Sequence, residues 1–168
     1  NNNNGTLVGF GCTAADCNLS SAGSVPSGFV SSGKRGKALA FDGGSDYVNI
    51  TAAVLNASQY SEFTVEGWVY PRLTTDEMNW IGLGRTGNAV FLGLRGAGSD
   101  KLSFRWVNST ADNVQLDTSS AVSNDTWHHV ASTYRANDVV RLYVDGVLAS
   151  TINVSTLFPS TTNSIVIG

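Results

Sequence analysis

The chain has 168 residues, a net charge of −3, and 14% charged against 42% apolar residues. That length holds one domain with a real core, and the apolar share excludes a disordered chain. No basic cluster exceeds Lys34-Arg35 with Lys37, which leaves nucleic-acid binding without electrostatic support, and no apolar run reaches membrane-spanning length.

The first residue is Asn1 rather than Met, and no signal peptide is visible, as expected of a piece processed or excised from a longer product. Residues 1–4 form a polar end. Thr6 to Phe10 reads as a short strand. Residues 11–36 are rich in Ser and Gly and read as a long surface connection interrupted by Val25, Phe29 and Val30. Within it Cys12 and Cys17 enclose four residues; in a secreted protein such a pair reads as a small disulfide loop, and otherwise as two inert thiols.

Lys37 to Phe41 and Tyr47 to Ile50 read as strands around Asp42-Gly43-Gly44-Ser45-Asp46. Residues 52–60 fit a helical turn. Phe63 to Tyr70 is a clear strand, with Phe63, Val65, Gly67 and Val69 on one face and Thr64, Glu66, Trp68 and Tyr70 on the other. Pro71 ends it. Strands follow at Asn79 to Leu83, Ala89 to Leu94, Lys101 to Val107, Asn113 to Asp117 and Ser164 to Ile167.

The strongest local signal is residues 126–151. Val139 to Val144 and Val147 to Ile152 flank Asp145-Gly146, a pair that favours a type I′ turn with both φ angles positive. A two-residue loop predicts that Val144 faces Val147, Tyr143 faces Leu148 and Leu142 faces Ala149. Trp127 to Tyr134 is a third strand, joined through Arg135-Ala136-Asn137-Asp138. Many short strands at regular spacing predict an all-β sandwich or barrel over residues 1–168 as a single domain.

Five segments carry a resemblance: Ala38 to Ile50, Phe63 to Pro71, Thr126 to Tyr134, Val140 to Leu148 and Ser164 to Gly168. In that order they resemble the laminin-G-like jelly rolls of the concanavalin A-like lectin/glucanase group. The resemblance implies an all-β, two-sheet antiparallel jelly-roll sandwich and a non-catalytic, secreted or cell-surface role in adhesion, protein binding or carbohydrate binding. Such domains usually have a strand before the position of Gly5 and another, of the type D-E-[VL]-R-[IV]-[YW], after that of Gly168. The chain has neither, so open strand edges are expected. Either the chain is cut short, or other chains, including copies of itself, supply the strands and build a filament.

Asn-x-Ser/Thr occurs at Asn4, Asn18, Asn49, Asn56, Asn108, Asn124 and Asn153. About three such motifs are expected by chance, so the excess points to a glycoprotein, against compositional accident.

Catalysis by glycoside hydrolysis needs two carboxylates across a cleft. The chain has only Glu62, Glu66 and Glu77, without the E-x-D-x-x-E pattern of glucanases, so no catalytic residue is expected. His128 and His129 are adjacent on a strand and point to opposite faces, so they cannot share a metal. A Ser-His-Asp triad is compatible with the composition, but no G-x-S-x-G elbow is present. Asp42 and Asp46 are the candidate calcium ligands, against the simpler reading of turn-forming aspartates. Trp80 and Trp106 are the candidate carbohydrate contacts, with Arg85, Arg95 and Arg105 as polar neighbours; Trp68 and Trp127 are expected inside the sandwich.

Overall fold

The computed structural model describes residues 6–10, 28–50, 60–72, 78–83, 89–95, 99–107, 114–155 and 165–168. The expected helical turn at 52–59, Cys12, Cys17, Asn4, Asn18, Asn56, Asn108, Glu77 and Arg85 lie outside these residues.

Alternation of apolar and polar residues produces strands and no helix among the described residues. They are β1 (Thr6–Val8), β2 (Gly28–Val30), β3 (Ala38–Ala40), β4 (Tyr47–Ile50), β5 (Glu62–Val69), β6 (Met78–Leu83), β7 (Ala89–Arg95), β8 (Lys101–Val107), β9 (Val114–Ala121), β10 (His128–Arg135), β11 (Val139–Val144), β12 (Val147–Asn153) and β13 (Ile165–Ile167). β2 lies inside the segment expected to be only a surface connection. Its Gly28, Phe29 and Val30 pair with Ala40, Leu39 and Ala38. The run is too short to be distinguished by periodicity, and the partner strand decides it.

One sheet has seven strands in the order β1-β4-β13-β6-β7-β8-β9, and a second has four in the order β12-β11-β10-β5. All their pairings are antiparallel. The chain is a two-sheet antiparallel sandwich, consistent with a jelly roll. The core lies between the sheets. β7 and β8 contribute Val90, Leu92, Leu94, Leu102, Phe104 and Trp106; β10 and β11 contribute Val130, Tyr134, Val140 and Leu142. Phe63, Val65 and Val69 of β5 pack against this cluster, so the predicted inward face of β5 is the observed one.

The β11–β12 hairpin follows its turn chemistry. Asp145 and Gly146 have φ of 51° and 80°, and Val144 faces Val147 as Tyr143 faces Leu148. The third pair differs: Leu142 faces Ser150, because a bulge inserts one extra residue on β12. Among the described residues β5 pairs only with β10, which leaves one edge of this eight-residue strand without a neighbour in the sheet.

Candidate functional site: the outer face of the four-stranded sheet

Since one face of β5 packs on the core, the alternate residues must point outward. Glu62, Glu66 and Trp68 do so, and Tyr70 continues the row. Trp68 is 41% exposed and Tyr70 is 42% exposed. This overturns the expectation that Trp68 lies inside the sandwich; the β5–β10 register sets it opposite His129 on the outer surface. The Trp68 and His129 rings meet edge to face, with centroids 5.3 Å apart. Tyr70 meets Trp127 in the same way at 5.5 Å. Lys34 Nζ stands 4.9 Å from the Trp68 ring centroid, a cation–π contact from the β2–β3 turn. The result is an aromatic strip along one end of the sheet.

The opposite end of the same face is polar. Glu62, Thr64, Thr133, Arg135 and Arg141 line an open depression of about 480 Å³. Arg135 Nε lies 3.0 Å from Glu62 Oε1 and 3.7 Å from Asp138 Oδ2. Glu66 Oε2 lies 3.8 Å from His129 Nε2. An aromatic surface beside hydroxyl, carboxylate and guanidinium groups can stack the apolar face of a sugar ring and bond its hydroxyls.

The two expected tryptophan contacts sit elsewhere. Trp106 is 3% exposed and crosses Tyr134 at 87° inside the core, so neither of its ring faces is open to a ligand. Its strand β8 lies between β7 and β9 in the seven-stranded sheet, and its parity with Leu102 and Phe104 turns it inward. Trp80 is half-buried and packs against the same core.

Glu62 and Glu66 stand four residues apart on one strand face. They also hold separate partners, Arg135 and His129.

At the β3–β4 turn each aspartate builds the turn. Gly44 N–H donates to Asp42 Oδ1 at 2.7 Å, and Asp42 N–H donates to Asp46 Oδ2 at 3.2 Å. The Gly44 hydrogen bond holds the Asp42 carboxyl below its usual range. Asp46 is 6% exposed, and its Oδ1 is buried with no hydrogen-bond partner, an oxygen that could serve a hard cation. Among the described residues no three acidic, His or Cys groups gather as a ready cation cage.

Three sequons fall on described residues. Asn153 is exposed at the end of β12. Asn124 Nδ2 donates to Asp100 Oδ2 at 3.1 Å, and its Oδ1 is buried. Asn49 lies mid-sheet between β1 and β13 with Oδ1 buried.

Distances also join three residues that no sequence motif joined. Ser123 Oγ lies 2.8 Å from His128 Nε2, and His128 Nδ1 lies 2.7 Å from Asp145 Oδ2. The spacing is that of a nucleophile relay. However, Nε2 also lies 3.1 Å from the Ser123 carbonyl oxygen. The Asp145 carboxylate only accepts, so Nδ1 carries a hydrogen. The group works as a clasp between the segment before β10 and the hairpin tip, reinforced by His129 N–H donating to Asp145 Oδ1 at 2.9 Å.

The family model described as the concanavalin A-like lectin/glucanases superfamily matches residues 42–168. The chain belongs to this superfamily. Domain 4 of AbnA, a GH43 extracellular arabinanase from Geobacillus stearothermophilus solved in complex with arabinotriose, is similar in structure. Its TM-score is 0.65 at 22% identity over 84% of this chain. The binding domain of Paraclostridial Mosquitocidal Protein 1 gives 0.66 at 16% identity over 83% of this chain. A chain of botulinum neurotoxin type C, whose cell entry depends on two ganglioside molecules, gives 0.60 at 19% identity over 73%. This chain spans 65%, 37% and 31% of those three chains. At these identities the likeness concerns the fold. No curated protein sequence matches the chain. Among the described residues no helix is long and apolar enough to cross a membrane.

Proposed function

We propose that the chain is a non-catalytic, extracellular adhesion module of the concanavalin A-like lectin/glucanase superfamily that binds carbohydrate on the outer face of its four-stranded sheet. The observation that carries this reading is Trp68, a large aromatic 41% exposed on the outer face near the end of β5, whereas such side chains are mostly buried. The arabinotriose complex of the arabinanase domain and the ganglioside dependence of the neurotoxin support a saccharide as the ligand. A glycan array with the intact chain tests it. Binding lost in both Trp68→Ala and Tyr70→Ala, with folding kept, supports the reading; binding indifferent to both removes it. Hydrolysis of any polysaccharide in the panel would overturn the non-catalytic part.

The setting proposed with it is a secreted or surface-displayed glycoprotein, with Cys12 and Cys17 joined and Asn153 the most open of the described sequons. Calcium at the Asp42–Asp46 turn belongs to the same proposal, supported by the unpartnered Asp46 Oδ1.

A second reading rests on β5. Its outer edge has no strand beside it among the described residues, and such an edge accepts a strand from a second copy of the chain. Repeated addition would build a filament. Electron microscopy of concentrated protein would show ordered polymers; a monodisperse monomer at every concentration would end this reading.

A further inference from the structure

β12 carries outward residues at the edge of the four-stranded sheet. Ile152 packs against the core and Val154 belongs to it, so Asn153 between them points the other way. Thr151 shares that outward face. Register lays out two rows across the sheet. Asn153 faces Val139, which faces Arg135, which faces Glu62. Thr151 faces Arg141, which faces Thr133, which faces Thr64. Glu62, Thr64, Thr133, Arg135 and Arg141 of these rows line the open depression of about 480 Å³. Asn153 therefore stands at one margin of that depression, at the end of the sheet away from Trp68.

Asn153 also opens the triplet Asn153-Val154-Ser155, an acceptor for an N-linked glycan. A glycan is bulky and polar and must end in solvent. That criterion separates the described sequons. Asn153 and Ser155 are exposed. Asn124 Nδ2, the atom that would carry the sugar, already donates to Asp100, and the Oδ1 atoms of Asn124 and Asn49 are buried. The root at Asn153 is also fixed: Val154 is 6% exposed, and its N–H donates to the Asp138 carbonyl at 2.9 Å. A fixed root limits the directions that the first sugar can take. β11 lies one strand from Asn153 and β10 two, about 10 Å at the usual strand spacing. Over that distance the Arg141 guanidinium donates, while the Thr151 and Thr133 hydroxyls both donate and accept. Sugar hydroxyls and N-acetyl carbonyls match these groups.

We propose that Asn153 carries an N-linked glycan whose first sugars fold back across β11 into the depression, against Arg141 and Thr133. The inference rests on the secreted glycoprotein setting proposed above. The polar end of the outer face then holds the protein's own glycan, and the aromatic strip at the other end is left to an external ligand.

Glycopeptide mass spectrometry and NMR of the whole chain, isotope-labelled and secreted by a host that makes N-linked glycans, decide it. Asn153 is occupied in most molecules. Ser155→Ala, which destroys the acceptor and keeps Asn153, removes that one glycan from the intact mass; if it fails to fold, Asn153→Gln carries the test. Nuclear Overhauser contacts join the N-acetyl methyl groups of the first sugars to the Thr133 methyl or the Arg141 side chain. Enzymatic release of the glycan shifts the Thr133 and Arg141 side-chain resonances and leaves those of Trp68 in place. A bare Asn153 beside other occupied sequons overturns the inference and leaves the glycoprotein setting standing; a chain with no glycan at all removes both. An occupied Asn153 whose sugars touch neither Thr133 nor Arg141 also overturns it. None of these readouts uses an added saccharide, so failure here is separable from failure of carbohydrate binding at Trp68.

Discussion

His128 Nδ1 lies 2.7 Å from Asp145 Oδ2 and thereby ties the tip of the β11–β12 hairpin to the start of β10. The aspartate does two jobs. It adopts the positive φ of the turn, and its carboxylate accepts from both the His128 ring and the His129 backbone.

Asp145 should give the fold an acid-sensitive contribution. Burial pushes its pKa up, but the bonds from His128 and His129 N–H outweigh burial and hold it below its ordinary 3.8. A depressed folded pKa stabilises the fold above the unfolded value, and this stability is lost as pH falls through the folded value. Thermal unfolding from pH 7 to 2 should show wild type losing stability below about pH 4. Asp145→Asn should unfold a few degrees lower at pH 7 and show a shallower acid loss. Parallel curves would mean that the clasp contributes nothing.

Ser132 is a defect that can be repaired. It faces the core from β10, is fully buried, and its Oγ has no hydrogen-bond partner. An unsatisfied buried hydroxyl costs about 1–3 kcal/mol. Ser132→Ala should therefore raise stability by about 1 kcal/mol in urea unfolding, with an unchanged slope. Destabilisation would reveal a bond that the geometry lacks.

Two tryptophans should separate stability from binding. Trp106→Ala removes a core ring and should cost about 3–5 kcal/mol. Trp68→Ala removes an outer ring and a cation–π contact worth about 0.5–1 kcal/mol, so it should barely move the unfolding midpoint while abolishing glycan retention. A large stability loss in Trp68→Ala would make it a structural residue instead.

The contrast between those two rings marks where the sequence is readable. Alternation places Phe63, Val65 and Val69 inward, and Asp145-Gly146 predicts its turn, because both signals are local. The face of Trp68 follows from the same alternation, yet hydrophobicity argued for burial, and the alternation was the better guide. The parity of β8 was equally legible: Leu102, Phe104 and Trp106 share one face, and that face is the core. The Ser123–His128–Asp145 clasp and the register that sets Arg95 of β7 opposite Lys101 of β8 were not legible. Both depend on the register between strands and on loop closure, which no run of residues encodes alone. The bulge at Leu142 to Ser150 was hidden for the same reason.

Gly93 tests how closely β6 approaches β7. A Cβ built there would meet the Met78 carbonyl oxygen and approach Asn79 Cα to 2.8 Å, both main-chain atoms that cannot swing aside. The β6 bulge brings that backbone in, because Asn79 faces Gly93 while Ile81 faces Leu92. Gly93→Ala must therefore push β6 and β7 apart, an overpacking cost of about 1–3 kcal/mol. The effect should appear as a lower unfolding midpoint and as faster amide exchange at Asn79, Ile81 and Leu92. Gly146→Ala is the control: its built Cβ meets nothing within 4 Å, so its cost comes only from the strained φ of 80° and should leave β6 exchange unchanged. If Gly93→Ala is neutral, the close approach of β6 is not a constraint on β7.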